Sequence, residues 1–212
     1  MKDNLLILGC GGHGRVVADA ASLSGLWGKI AFVDDIYPEV RVSGGYPLIG
    51  DSNTLSGLKE RWPNVVVAFG KNKLRLHFLD KLGADGFKIV SIIHPSAQIA
   101  QDVVVGAGTV CFANCVVNSG SSLGRGVIVN TAATIDHDGK IADGVHLSPG
   151  VHLAGAVEIG RRSWVGIGAS VTNNVFIGAD VIIGAGGVVI NDIPDSVTAV
   201  GLPAKPVVNS VT

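Results

Sequence analysis

The sequence predicts two domains of different fold class: an α/β domain with a parallel sheet over 1–92 and a solenoid of short parallel β-strands over 93–212. Before Ile93, short apolar runs alternate with helical patterns, as is typical of α/β units. After Ile93, an aliphatic residue returns at every sixth position, as is typical of a β-solenoid. Glycine is frequent (30 residues) and only 16% of residues are charged, which suits a repeat of tight turns.

The elements of the first domain follow one another in a regular order. Strands are predicted at 4–9, 29–35, 64–70 and 88–93, and helices at 14–24, 53–62 and 72–82. Strands that alternate with helices through short connections pair in parallel, because each helix crosses back over the sheet. At about 90 residues, the domain is a single Rossmann-like half with no room for a second.

A glycine-rich turn, Gly9-x-Gly11-x-x-Gly14, follows the first strand and opens the first helix, and Asp34 and Asp35 come some twenty residues later. Such glycines let the backbone approach a pyrophosphate, and a carboxylate at the next strand end can bind a ribose hydroxyl. UDP offers both groups, as NAD does, and a purely structural turn is the third alternative. The single half-domain and the attached solenoid favour a nucleotide sugar.

The six-residue repeat of the second domain runs over seventeen consecutive positions without an insertion, from Ile93 to Val189. Sixteen of these positions are aliphatic and one is Cys111. A helix cannot keep a six-residue apolar repeat on one face, whereas a coil of short strands can. Three hexads make one triangular rung with the aliphatics pointing inward, so about five rungs are expected. A β-sandwich would not keep this phase through every turn.

Charge and composition exclude several functions. The 16 basic and 17 acidic residues leave the chain near neutrality, which argues against nucleic-acid binding. No 18-residue apolar stretch and no signal-peptide pattern is present, so we expect neither membrane insertion nor secretion. Cys10, Cys111 and Cys115 show neither a paired framework nor metal spacing. We expect a cytoplasmic protein without a metal.

The repeat, together with the segment GLPAKP at 201–206, resembles the hexapeptide-repeat acyltransferases, whose solenoids end in G-x-P-A-[KR] beside the CoA tail. The N-terminal stretch GCGGHGRVV at 9–17 resembles one subgroup of them. That subgroup contains sialic-acid O-acetyltransferases and N-acetyltransferases of UDP-4-amino-trideoxy-hexoses and perosamine. The resemblance covers both domains, and it implies a left-handed parallel β-helix, acetyl-CoA as co-substrate and a homotrimer with active sites between neighbouring subunits.

His137 is the candidate catalytic residue. It lies in Ile135-Asp136-His137-Asp138, two positions past an inward aliphatic, and therefore near an outer corner of the coil. Neighbouring carboxylates orient an imidazole and stabilise its protonated form, which suits a general base, although a surface histidine in a polar turn fits the same pattern. The resemblance matches His137 to the family's catalytic histidine. The acidic residue after it is Glu in the related UDP-amino-sugar enzymes and Asp138 here.

The resemblance also implies binding positions on both domains. For acetyl-CoA, the resemblance places His146 at the thioester end, and we expect this residue one rung after His137. It places three residues along the pantetheine and adenine channel: Gly155, Ile167 and Ala185. For the nucleotide sugar they are Gly11, Gly12, His13, Asp34, Asp35, Gly70 and Asn72. His13 resembles a residue near the sugar, and a helix cap is its alternative. The remaining histidines are expected to be structural or on the surface: His77, His94 and His152.

The expected function is N-acetylation of a UDP-4-amino-4,6-dideoxy hexose for bacterial surface glycan synthesis. The alternatives are N-acetylation of GDP-perosamine, O-acetylation of sialic acid, or a non-catalytic nucleotide-sugar-binding scaffold. A carbonic-anhydrase-like metal site is disfavoured, because His137, His146 and His152 are nine and six residues apart and fall on different sides of a rung. The sequence leaves open the nucleotide base, the sugar stereochemistry and the choice between an amine and a hydroxyl acceptor.

Overall fold

The computed structural model describes residues 2–207 and divides between Pro95 and Ser96 into two compact units. The first unit is α/β and the second is a β-solenoid, so the predicted fold class is confirmed. The end of the predicted second domain, 208–212, lies outside the described residues, as does Met1. Within 2–207, no helix has the length and apolar character that a membrane crossing needs.

The first unit is built on a four-stranded parallel sheet in the order β2-β1-β5-β6. Its strands are β1 Leu5–Leu8, β2 Ile30–Val33, β3 Val42–Ser43, β4 Tyr46–Pro47, β5 Asn64–Val67, β6 Lys88–Ile89 and β7 Ile92–Ile93. Its helices are α1 Gly12–Leu23, α2 Leu55–Leu58 and α3 Asn72–Ala84. Every residue of β1 and β5 is buried, which explains why both strands are apolar without alternation, except for Asn64, whose side chain donates to the Asn4 carbonyl at 3.1 Å.

Two predicted elements of this unit differ from the structure, and one observed element was not predicted. The helix predicted at 53–62 shrinks to α2, because Gly57 weakens it and the Asp51 carboxylate instead caps the preceding turn. The strand predicted at 88–93 splits into β6 and β7. The antiparallel hairpin of β3 and β4 was not predicted, since its strands have two residues each, although Gly44 and Gly45 at positive φ are a hairpin signal.

Short parallel strands form the three faces of the solenoid in the second unit. Sheet I contains β10 Val110–Cys111, β13 Ile128–Val129, β16 His146–Leu147, β19 Trp164–Val165, β22 Ile182–Ile183, β24 Thr198–Gly201 and β25 Ala204–Pro206. Sheet II contains β8 Gln98–Ile99, β11 Val116–Val117, β14 Thr134–Ile135, β17 His152–Leu153, β20 Ser170–Val171 and β23 Val188–Val189. Sheet III contains β9 Val104–Val105, β12 Ser122–Leu123, β15 Lys140–Ile141, β18 Glu158–Ile159 and β21 Phe176–Ile177.

From β8 to β23, each strand pairs with the one a rung away, as Ile135 does with Leu153, so a rung spans 18 residues. Sheet II has six strands, so the solenoid makes about six rungs rather than the five expected. From Cys111 to Val189, every predicted inward position is buried in one continuous core. The first three predicted inward positions are less enclosed, because they lie at the start of the coil: Ile99 and Val105 are partly buried against the core and Ile93 is 41% exposed.

A left-handed residue recurs in each turn, three positions after the inward aliphatic, from Gly108 to Gly186. Most turns place Gly, Asn or Asp there, the residues that tolerate positive φ best. Asp138 occupies this position with φ of 60°. At the end of the coil, the segment 201–206 forms the antiparallel turn between β24 and β25, in which Gly201 faces Ala204.

Candidate functional site

His137 lies at the corner between β14 of sheet II and β15 of sheet III. Its Nδ1 is 2.9 Å from Oδ2 of Asp138, and both side chains are exposed (62% and 66%). The hydrogen bond to Asp138 raises the pKa of His137 above its ordinary value, with a further contribution from the negative charge of Asp136. When Nδ1–H is donated to Asp138, the lone pair of His137 lies on Nε2. The dyad therefore presents a proton acceptor at the surface of the coil.

Two glycines give the dyad its space. A Cβ atom at Gly155, one rung after His137, would lie 2.5 Å from Cε1 and Nε2 of the imidazole. A Cβ atom at Gly120 would collide with Oδ1 of Asp138. Gly155 was predicted for acetyl-CoA, whereas Gly120 was missed, although its position 18 residues before Asp138 was a usable signal.

A second pair of side chains supports the same corner. Asn118 donates from Nδ2 to Oδ1 of Asp136 at 2.9 Å, and the His137 N–H donates to the same oxygen at 2.9 Å. These two bonds, the one from Asn118 first, lower the pKa of Asp136. The carboxylate of Asp136 is thus an anchor for the backbone at His137, and it is not itself part of the dyad. Asn118 was not among the residues predicted from the sequence.

His146 lies on the outer face of sheet I. Its ring stacks on Trp164 with centroids 5.6 Å apart and planes 8° apart, and its Nε2 lies 3.3 Å from Nδ2 of Asn130. The indole N–H of Trp164 donates to Oγ of Ser148 at 2.7 Å. The expectation that His146 follows His137 by one rung was wrong, since nine residues are half of an 18-residue rung.

Ile167 and Ala185 lie one rung apart at the corner between sheets I and II, where Gly186 N–H donates to the Ile167 carbonyl at 2.8 Å. Both residues are exposed. Within one chain, the structure brings Gly155 alone of the predicted acetyl-CoA residues against His137. In the described range 2–207, no group of three or more His, Cys, Asp or Glu side chains could hold a metal ion.

The first unit contains a cavity of about 370 Å³ between the glycine-rich turn and the segment that follows β5. It is lined by Gly9, Gly11, Gly12, His13, Asp34, Ala68, Phe69, Gly70, Lys71 and Leu74. Five of the seven predicted nucleotide-sugar residues are therefore together. Asp35 is not among the lining residues, and its Oδ1 accepts the Ser52 N–H at 2.9 Å. Asn72 does not line the cavity either, and its Oδ1 accepts from Arg75 at 3.0 Å.

A larger cavity of about 750 Å³ adjoins the first, since Gly11 and Asp34 line both. The Asp34 carboxylate accepts the Cys10 N–H at 2.9 Å and the Ile36 N–H at 3.2 Å. Ser43, in the unpredicted hairpin, donates to the Cys10 carbonyl at 2.8 Å. The hairpin and Arg15 complete this second cavity, and neither was predicted.

Comparisons with known proteins agree with both units. The family profile described as the PglD N-terminal domain matches residues 4–82. The acetyltransferase domain of PglB from Neisseria gonorrhoeae FA1090, solved in complex with acetyl coenzyme A, is 42% identical with a TM-score of 0.94, over 98% of this chain and 100% of that one. The chain belongs to the hexapeptide-repeat sugar acetyltransferases.

Two further family members are similar to this sugar acetyltransferase chain. PerB from Caulobacter crescentus, solved with CoA and GDP-perosamine, is 40% identical with a TM-score of 0.92 over 97% of each chain. The UDP-N-acetylbacillosamine N-acetyltransferase of Bacillus subtilis (strain 168) is 36% identical over 112 residues, which are 52% of this chain and 51% of that one. The match thus spans about half the length of the Bacillus relative.

Proposed function

We propose that this protein transfers the acetyl group of acetyl-CoA to the amino group of a UDP-linked 4-amino-4,6-dideoxy hexose used in bacterial surface glycans. The observation that carries the proposal is the exposed dyad of His137 and Asp138, built into a hexapeptide solenoid. The similarity to the Bacillus relative supports a UDP-linked acceptor. Acetyl-CoA is a cytoplasmic metabolite, so the proposed reaction takes place in the cytoplasm.

His137 acts in this proposal as the general base. Its Nε2 takes the proton from the sugar amine as the nitrogen attacks the thioester carbonyl, while Asp138 orients the ring and stabilises the imidazolium. Collapse of the tetrahedral oxyanion breaks the C–S bond and expels CoA as the thiolate, so no covalent enzyme intermediate is needed. Base catalysis of this kind typically contributes ~10² to 10⁴ in rate.

Backbone N–H groups near Gly155 would stabilise the oxyanion. The Ala156 N–H is not among them, because it donates to the His137 carbonyl at 2.8 Å. The nucleotide is assigned to the cavities of the first unit. Its diphosphate would lie at the start of α1, where backbone N–H groups favour negative charge, and Asp34 would bind a ribose hydroxyl.

Acetyl-CoA is assigned to the solenoid, with His146, Gly155, Ile167 and Ala185 as its binding residues. These residues lie on two corners and one face, so one coil cannot surround the donor. A homotrimer would bring a corner of a neighbouring subunit alongside, and the exposed Trp164 and Ile182 are apolar surfaces suited to it. Sedimentation analysis tests this arrangement directly, with a mass of three chains expected.

N-acetylation of GDP-perosamine is the second candidate. The similarity to PerB extends over 97% of both chains, which is a longer match than the one to the Bacillus relative. The same base and donor would serve that acceptor, and the difference would lie in the nucleotide cavities of the first unit.

The test is release of CoA by the purified protein with acetyl-CoA and three acceptors: a UDP-4-amino sugar, GDP-perosamine and sialic acid. His137→Ala is expected to slow turnover by ~10² to 10⁴. His152→Ala is the matched control, because His152 is another exposed histidine of the solenoid. Turnover on the UDP-amino sugar that falls strongly in His137→Ala and stays at the wild-type rate in His152→Ala would support the proposal. Silence on all acceptors, or full turnover in His137→Ala, would contradict it.

A further inference from the structure

Arg75 is a fully buried cation in the first unit, with 0% relative exposure. Arginine almost never occupies such a place unless its charge is hydrogen-bonded. Here Nη1 donates to the carbonyls of Phe69 at 2.8 Å and Gly70 at 3.3 Å, and Nη2 donates to Oδ1 of Asn72 at 3.0 Å. An apolar side chain would fill this space at a smaller desolvation cost, so the guanidinium calls for a reason other than packing.

The acceptors of Arg75 belong to the segment 69–72, which joins β5 to α3 and forms one wall of the 370 Å³ cavity. The opposite wall is the glycine-rich turn, and the two walls touch. A Cβ atom at Gly9 would lie 2.8 Å from Cε1 of Phe69. The position of the segment 69–72 therefore sets the width of the cavity, and three hydrogen bonds from one rigid guanidinium set the position of the segment.

Arg75 also acts on the cavity through its charge. Burial, and after it the charge of Arg75, lowers the pKa of His13 to about 4. Burial lowers the pKa of Arg75 itself only to about 10, so at neutral pH Arg75 is charged while His13 is neutral. Asp34 and Lys71 are the other titratable groups that line this cavity. A neutral imidazole can both donate and accept a hydrogen bond, as recognition of a sugar hydroxyl requires, whereas an imidazolium can only donate.

We propose that Arg75 is a positioning residue for nucleotide-sugar binding, which fixes the segment 69–72 beside the cavity without touching the ligand. The identity of the ligand rests on the proposed function. The sequence could not single out Arg75, because an arginine within a helix is normally on its exposed face.

The first measurement is calorimetric titration of the full-length protein with UDP and with GDP. Arg75→Met is expected to weaken binding of the preferred nucleotide by roughly 10- to 100-fold, the range for hydrogen bonds to a charged group. Arg75→Lys keeps the charge but not the planar fork, so an intermediate loss is expected. Lys81→Met removes an exposed cation from the same helix and should bind as the wild type does. In turnover, Arg75→Met should raise KM for the nucleotide sugar and leave KM for acetyl-CoA unchanged.

The second measurement is the NMR titration of the His13 ring, which a merely structural role of Arg75 would not move. The pKa of His13 is expected to rise toward its ordinary value in Arg75→Met and to stay low in Arg75→Lys. If Arg75→Met does not fold, Arg75→Lys carries the test, with weaker nucleotide binding at a low His13 pKa as the expected result. Wild-type affinity in a folded Arg75→Met variant, or in Arg75→Lys when that variant alone folds, would overturn the proposal. A wild-type protein that binds neither nucleotide would overturn the proposed function instead.

Discussion

The solenoid and the α/β unit each contain a histidine at a candidate site, and the surroundings of the two rings shift their pKa values in opposite directions. His137 is exposed, and its hydrogen bond to Asp138 raises its pKa. His13 is partly buried beside Arg75, and its pKa falls to about 4. The first ring is suited to taking up a proton and the second to remaining neutral. If the proposed function is correct, environment alone separates proton transfer in the solenoid from ligand recognition in the α/β unit.

The means of positioning differ as well. At the His137 corner, residues one rung away hold the side chains in position. Gly155 lies against the His137 ring, and Asn118 donates a hydrogen bond to Asp136. In the first unit no repeat exists, and one long buried side chain holds a segment in place. Single substitutions at the corner should therefore change the catalytic rate, whereas those around Arg75 should change nucleotide affinity.

Apart from removal of His137 itself, the largest effect that separates the two regions is expected from Gly155→Ala. The added methyl group would lie where the His137 ring now stands, so the ring must turn away from its bonded position. A misplacement of about 1 Å can cost about 100-fold in rate. The measurement is kcat for CoA release, together with UDP affinity as an internal control. A variant with wild-type kcat would show that the ring position is not decisive.

Asp138→Asn comes next, with an expected loss of about 10- to 100-fold in kcat, since the ring loses its charged partner. The backbone should tolerate this change, because Asn114 and Asn174 occupy the same turn position at φ of 59°. Removal of the carboxylate lowers the pKa of His137, so the acidic limb of the rate profile should move to lower pH. An unmoved limb would indicate that another group is titrating.

Gly120→Ala should reduce kcat by roughly tenfold through the displaced Asp138 carboxylate. Its matched control is Gly150→Ala, at the same turn position with positive φ but with open space around it. Both variants should lose about 1 kcal/mol or more of unfolding free energy, because alanine is strained at positive φ. Thermal unfolding and kcat together separate the two effects, and an equal kcat in both variants would contradict the role given to Gly120.

The smallest effect is expected for nucleotide-sugar binding by the first unit when the pH is changed. Binding of UDP-glucose should stay constant from pH 8 to 5.5, because His13 remains neutral across that range. CoA release should fall over the same range as His137 becomes protonated. Calorimetry at four pH values tests the difference, and affinity that falls in parallel with the rate would remove the contrast between the two histidines.

Much of this molecule could be predicted from its sequence, for reasons that differ between the units. The six-residue repeat correctly predicted the inward core from Cys111 to Val189, because a shift in the register of one rung would turn its aliphatic residues out of the core. It also placed His137 at a corner. The same repeat could have located Gly120 and Asn118, had positions 18 residues apart been paired. Arg75 and Asp35 could not be placed, since burial of an arginine and the direction of a carboxylate at a strand end depend on tertiary packing.

The measurement that tests the central claim most directly is the pH profile of CoA release, on the acceptor that gives turnover, in the wild type and in His137→Ala. The wild type is expected to gain activity as pH rises through a pKa above the ordinary histidine value, because Nε2 accepts a proton only when the ring is neutral. His137→Ala is expected to be slower by ~10² to 10⁴ and to lose that limb. An unchanged rate and limb in His137→Ala would show that His137 is not the base.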